Sequence, residues 1–230
     1  LLTNSVAFSA LRGQVAVNFN DPSVTGGTVN SIAVEAGGTI IIGGAFTSSG
    51  SQARNGVARL SPVGLTDTAT FTGFGTGVTG GAVNSVAVES SGKVLIGGAF
   101  TDVSGTTISR LARLNVDGSL DTSTFGAFSG VAGGNGIVRS LVVDTSSGGN
   151  ANKITVAGDF ATVNGTARAG FARLNPDGSL DSSVSTVTLA GGSVFGQVLQ
   201  PDGNLVLVGN FTTANGGGRT SVLRLGGSTE

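Results

Sequence analysis

Four copies of one pattern run through this chain in register, and a chain built that way cannot fold as four independent units. The signature G-x-F-[TA] occurs at Gly44-Ala45-Phe46-Thr47, Gly98-Ala99-Phe100-Thr101, Gly158-Asp159-Phe160-Ala161 and Gly209-Asn210-Phe211-Thr212. Thirteen residues after each Phe comes an Arg-Leu pair: Arg59-Leu60, Arg113-Leu114, Arg173-Leu174 and Arg224-Leu225. Upstream, an apolar run starts at Val29, Val83, Val138 and Val194, 17 residues before the Phe in three copies and 22 in the third. The extra residues form the polar stretch 145–152, so the insertion falls in a turn. A period of about 54 residues means a solenoid, a propeller or an array, in which no unit buries its apolar face alone.

Within a unit the pattern is β throughout. In Val83 to Glu89, Val86 and Val88 fall on one face and Ser85, Ala87 and Glu89 on the other, as in a half-buried strand. Ser90-Ser91-Gly92 marks a turn, and Val94-Leu95-Ile96 is the continuous apolar run of a strand covered on both faces. Gly97-Gly98 inside that strand implies close approach by a neighbouring backbone. Residues 108–115 give a third strand, Asp117-Gly118 a turn and residues 124–128 a fourth. Four short strands per unit, with no helical periodicity, predict an all-β fold, a β-propeller of four repeats. The alternative is a β-helix or solenoid, whose coils are usually shorter and lack D-G hairpins such as Asp117-Gly118, Asp177-Gly178 and Asp202-Gly203. The expected division is an N-terminal segment 1–28, then repeats 29–82, 83–137, 138–193 and an incomplete 194–230, all in one domain.

The run from Val83 to Phe125 carries a family resemblance. Its segments Gly-Lys-Val-Leu-Ile-Gly-Gly-Ala-Phe-Thr and Leu-Ala-Arg-Leu-Asn-Val-Asp-Gly-Ser-Leu-Asp-Thr-Ser-Thr-Phe resemble the delta-60 repeat family of bacterial surface or secreted propeller-like proteins. The resemblance covers Val29 to Leu225 and departs from the pattern at Ser61-Pro62-Val63-Gly64 and at Ser185, where a Phe belongs. It implies the fold and an extracellular or cell-surface setting, and it brings no catalytic residues.

Charge narrows the partners. Charged residues make up 11% of the chain and the net charge is −1, so nucleic acid has no electrostatic reason to bind. No apolar run is long enough to span a bilayer as a helix, so membrane insertion is not expected. His, Cys and Tyr are absent, which removes the usual general bases, nucleophiles and metal ligands and predicts a protein that is not an enzyme. No cofactor fingerprint occurs. Trp is also absent, so the aromatic platforms that grip sugars are missing.

Two constellations remain. Arg59, Arg113 and Arg173 are each followed eight residues later by an acid, Asp67, Asp121 and Asp181. Because the pair recurs, it points to a structural ion pair; a catalytic site is normally built once. The arginines, with Arg224 and the four phenylalanines Phe46, Phe100, Phe160 and Phe211, are the expected structural positions. The second constellation is Asn115, Asp117 and Asp121, repeated as Asn175, Asp177 and Asp181. Alternating oxygens on a Gly-containing loop suit Ca²⁺, but the bidentate Glu that closes such loops is missing, and a D-G turn with Asx capping uses the same residues.

The ends of the pattern suggest assembly. Residues 14–19 alternate as a strand, with Val15, Val17 and Phe19 on one face, and are expected to complete the repeat that starts at Val194. Within one chain that closes a ring; between chains it donates a strand and propagates a polymer. The expected function is a non-catalytic extracellular structural or adhesive repeat protein, a homo-oligomer or a filament or surface layer built by strand exchange. The alternative is a propeller binding module for a glycan or a protein.

Overall fold

The computed structural model describes residues 18–146 and 150–226. Among these residues every regular element is a strand, and no helix is long and apolar enough to cross a membrane. Each repeat carries a main sheet of three antiparallel strands with the second in the middle. The sheets are Val29–Val34, Ile40–Gly44 and Val57–Leu60; Val83–Val88, Val94–Gly98 and Leu111–Leu114; Ile137–Val143, Ile154–Asp159 and Phe171–Leu174; Val194–Leu199, Leu205–Gly209 and Val222–Leu225. The central position explains the continuous apolar runs: in repeat 2, Val94 to Gly98 is buried at every residue.

The strand count within a unit differs from the sequence expectation. Residues 124–128 form bends and a turn, and after the third strand the chain makes a single bridge, Leu60↔Thr66, Leu114↔Leu120 or Leu174↔Leu180. The phenylalanines of that stretch are used between sheets, which pulls the backbone off the ladder. Connectors pair forward instead. Val78–Thr79 joins Asp102–Val103 and Thr106–Thr107 of the next repeat in a small second sheet, and Val131–Ala132 and Leu189–Ala190 do the same one and two repeats on.

Successive main sheets stack face to face, with the first strand of each repeat packed on the first and second strands of the one before. The core therefore lies in the joints. Ile41 and Val57 of repeat 1 cluster with Val83, Val86 and Val94 of repeat 2, and Leu95 and Leu111 of repeat 2 with Val138, Leu141 and Ile154 of repeat 3. Gly97 is required at such a joint, because a Cβ there would stand 2.5 Å from Val138 Cγ1. Phe46, Phe100, Phe160 and Phe211 are all buried.

Among the described residues, no packing comparable to the three internal joints brings repeat 4 against repeat 1, and the outer faces of both repeats are exposed. Ile32 is 64% exposed while its counterpart Val86 is 6% exposed; Val222 is 59% exposed while its counterpart Val57 is 0%.

Of the expected assembly strand, Val15 and Val17 lie outside the described residues. Phe19 belongs to no strand, and it goes to repeat 1, not repeat 4. The Asn20 backbone N–H donates to the Val63 carbonyl at 2.7 Å, and the Phe19 ring lies 2.9 Å from where a Cβ on Gly64 would stand. The physical reason is the same capping that recurs in the chain: Gly64, Gly118 and Gly178 all have φ of +86°, and Phe19, Phe71 and Phe125 respectively cover them. A turn glycine with positive φ leaves room for a ring that a side chain would block.

Candidate functional site

Every first strand carries a β-bulge near its start, at Asn30, Asn84, Arg139 and Phe195. A bulge re-aims one side chain and strengthens the local twist. Here it turns the side chain across the joint. Asn30 Nδ2 donates to the Val83 carbonyl at 3.0 Å and Asn84 Nδ2 to the Val138 carbonyl at 3.2 Å. One residue on, Ser31 Oγ accepts from the Val86 N–H and Ser85 Oγ from the Leu141 N–H, both at 3.0 Å. In repeat 4 these positions are Phe195 and Gly196, so its outward face presents an apolar ring in place of the polar latch.

The repeated arginines form the second element of the first two joints. In repeat 2, Arg113 Nε meets Asp121 at 2.9 Å, its Nη1 meets Glu89 at 3.1 Å, and the same nitrogen donates to the Pro176 carbonyl of repeat 3 at 2.6 Å. Arg59 reaches the Val116 carbonyl of repeat 2 at 3.2 Å and Glu35 at 2.7 Å, and stands 3.9 Å from Asp67. Arg173 pairs with Asp181 at 2.8 Å and Ser183 at 3.1 Å. Arg224 is solvent-exposed and bonds Gln200 and Asp202. In Arg59 and Arg113 the guanidinium is thus a clamp between repeats, which the sequence spacing alone did not disclose, while Arg173 and Arg224 bond within their own repeats. Glu35 and Glu89, at the end of each first strand, were also missed; their recurrence 24 residues before the arginine is the signal that finds them.

Lys93 and Lys153 complete two of the clusters, at 2.7 Å from Asp121 and 3.1 Å from Asp181. Burial pushes the Asp121 carboxyl up, but hydrogen bonds from Lys93 and from the Thr124 hydroxyl and N–H, with the Arg113 charge, outweigh it and hold the group well below its ordinary range. Asp181 is likewise held low: burial opposes ionisation, and Ser183, Lys153 and Arg173 overcome it. Both clusters are buried ion pairs within one repeat.

The calcium candidates are divided between two jobs. Asp117 Oδ1 accepts from the Ser119 N–H at 2.9 Å and hydroxyl at 2.7 Å, and Asn115 Nδ2 donates to Ser119 Oγ at 3.0 Å, so these residues cap the turn. Asn175, Asp177 and Ser179 repeat that arrangement. Asp121 and Asp181 belong to the arginines. Among the described residues no group of three or more acidic side chains could hold a metal ion.

The joints differ in how they are filled. The connector after repeat 1 supplies Phe71 and Phe74, with ring centroids 5.9 Å apart, and the connector after repeat 2 supplies Phe125 and Phe128, at 5.5 Å. The Arg113 guanidinium lies 4.7 Å from the Phe125 centroid. After repeat 3 the same offsets from Asp181 give Ser185 and Thr188 in place of the rings, and a cleft of about 340 Å³, lined in part by Val184, Ser185 and Val187, opens between repeats 3 and 4.

Face-to-face antiparallel sheets in tandem, joined by recurring ion-pair clamps, define a repeat protein of the β-propeller class. The chain belongs to the domain of unknown function (DUF5122) beta-propeller family, whose sequence model matches residues 38–69, 89–123, 152–183 and 200–226. Each matched segment contains the repeat arginine, and the second spans Glu89, Lys93, Arg113 and Asp121 together. Comparison with curated proteins finds no match.

Proposed function

We propose that this chain is a non-catalytic extracellular structural or adhesive repeat protein that assembles with further copies of itself, end to end, and that within its family it is of the delta-60 kind. The observation that carries this reading is the pair of exposed end faces. Val29, Ile32 and Val34 occupy on repeat 1 the positions that Val83, Val86 and Val88 use to pack against a preceding repeat. Phe195, Val198, Val208 and Val222 occupy on repeat 4 the side on which each earlier repeat receives its successor. The two exposed faces are thus counterparts in the repeat, with one difference: Val208 stands where Gly43 and Gly97 make room for the successor at the first two joints, so an end-to-end contact seats the incoming strand further out. Apolar faces of this kind in a chain with few charges favour association, and a heterologous contact that does not close propagates. The absence of His, Cys and Tyr supports the non-catalytic part, and the low charge and high Gly, Ser and Thr content suit an extracellular scaffold.

Sedimentation velocity on the wild type and on Ile32→Lys and Val222→Lys tests it. The wild type forms larger species with rising concentration, and each variant alone stays monomeric because one face of every contact is spoiled. Mixing the two variants restores one good contact and yields 1:1 dimers. A wild type that is monomeric throughout overturns the reading, as does a mixture that remains monomeric.

A further inference from the structure

We infer that the cleft between repeats 3 and 4 is a binding site for one aromatic ring of a small molecule. The argument starts from what fills the equivalent space one joint earlier. There Phe125 and Phe128 lie between the sheets of repeats 2 and 3, in one cluster with Leu95, Leu111, Val143 and Ile154, and the Arg113 guanidinium covers the Phe125 ring. At the next joint the walls are retained in kind: Phe171, Leu199, Leu205 and Leu225 line the cleft, with Val187 at its base. The plug is not retained: in the repeat register Ser185 and Thr188 stand at the positions of Phe125 and Phe128, and the small side chains of Val184, Ser185 and Val187 line the cleft.

The ceiling is also retained. Arg173 lines the cleft and is held by Asp181 and Ser183, as Arg113 is held by Asp121 and Thr124. A guanidinium fixed over a space of ring size attracts the negative face of an aromatic system, and fixing it in advance lowers the ordering cost of binding. The volume of about 340 Å³ exceeds what one ring needs, since cavities of about 150 Å³ lined by Leu, Ile and Phe take up benzene. Lys153 and Asp144 at the rim leave room for a polar substituent pointing to solvent. Apolar walls with few convergent polar groups are the usual make-up of a small-molecule site.

The probes are phenol and cyclohexanol, similar in size and polarity but different in having a π face. Titration followed by amide NMR shifts is expected to show saturable phenol binding, about fivefold or more tighter than cyclohexanol. Substituting Val184→Phe puts a ring into the lining of the cleft and is expected to weaken phenol binding at least about tenfold. A crystal of the wild type soaked in phenol is expected to place the ring beneath Arg173 and against Val187, and this measurement decides the matter if V184F does not fold. Absence of saturable phenol binding overturns the inference. So do equal binding of cyclohexanol, undiminished binding to folded V184F, and a ring located elsewhere.

Discussion

The joint between repeats 2 and 3 and the joint between repeats 3 and 4 are built from the same strands, yet two phenylalanines pack into the first while a cleft of about 340 Å³ opens in the second. In the first, Asp121 is fully buried between Arg113 and Lys93, and Phe125 and Phe128 pack beside it, themselves lining a pocket of about 410 Å³ on repeat 2. In the second, Asp181 pairs with Arg173 and Lys153 in the same way, with Asp181 and Arg173 more exposed than Asp121 and Arg113 and Lys153 less exposed than Lys93, and Ser185 and Thr188 stand at the positions of the rings. The ladder hydrogen bonds are equivalent in both, with Val94 to Gly97 and Ile154 to Ala157 pairing their third strands in the same register. The difference teaches that the strands set the spacing of the repeats, while the connectors decide whether the space between them is filled.

The largest expected effect tests what the two joints share. Phe100→Ala and Phe160→Ala each remove a buried ring at the same repeat position and are expected to cost about 3 to 5 kcal/mol, read by urea unfolding. Costs that differ by more than about 1 kcal/mol would break the claim that the shared scaffold is equivalent on both sides.

Next in size is the ion cluster. Asp121→Ala leaves the buried Arg113 with Glu89 as its remaining carboxylate and Lys93 without one and is expected to cost about 2 to 4 kcal/mol, whereas Asp181→Ala, on the more exposed Arg173, is expected to cost about 1 to 3 kcal/mol. Equal losses would show that the cleft does not loosen its cluster. Both carboxyls are held below their unfolded value, so their contribution is present above about pH 4 and is lost as pH falls through the folded value. Thermal melts from pH 6 downward are expected to fall less steeply for Asp121→Ala than for the wild type.

The smallest effect converts one joint into the other. Phe125→Val is expected to cost about 2 kcal/mol, less than full truncation of a buried ring, and to create at repeats 2 and 3 a phenol site like the one inferred at repeats 3 and 4. Loss of stability without phenol uptake would show that repeat 3 collapses into the space, and that the natural cleft depends on more than the missing rings.

The repeat, its β character and the Arg–Asp pairing were legible in sequence because each rests on local spacing: alternation of apolar residues, a Gly-containing turn and a fixed offset of eight residues. The predicted fourth strand was not, because residues 124–128 have strand-like composition but their phenylalanines are drawn into a joint that no local pattern reveals. Phe19 was misassigned to repeat 4 for a related reason. Alternation identifies a half-buried segment, but Gly64, which receives the ring, is 45 residues away in the chain. The clamp from Arg113 to Pro176 and the latch from Asn84 to Val138 are likewise bonds between repeats, set by how sheets stack. The sequence by itself determined the period, the strands and the turns, since those depend on neighbours within a few residues. Which faces meet, which remain open at Ile32 and Val222, and where a cleft is left beneath Arg173 were decided by the tertiary structure, because each depends on surfaces brought together from repeats about 54 residues apart.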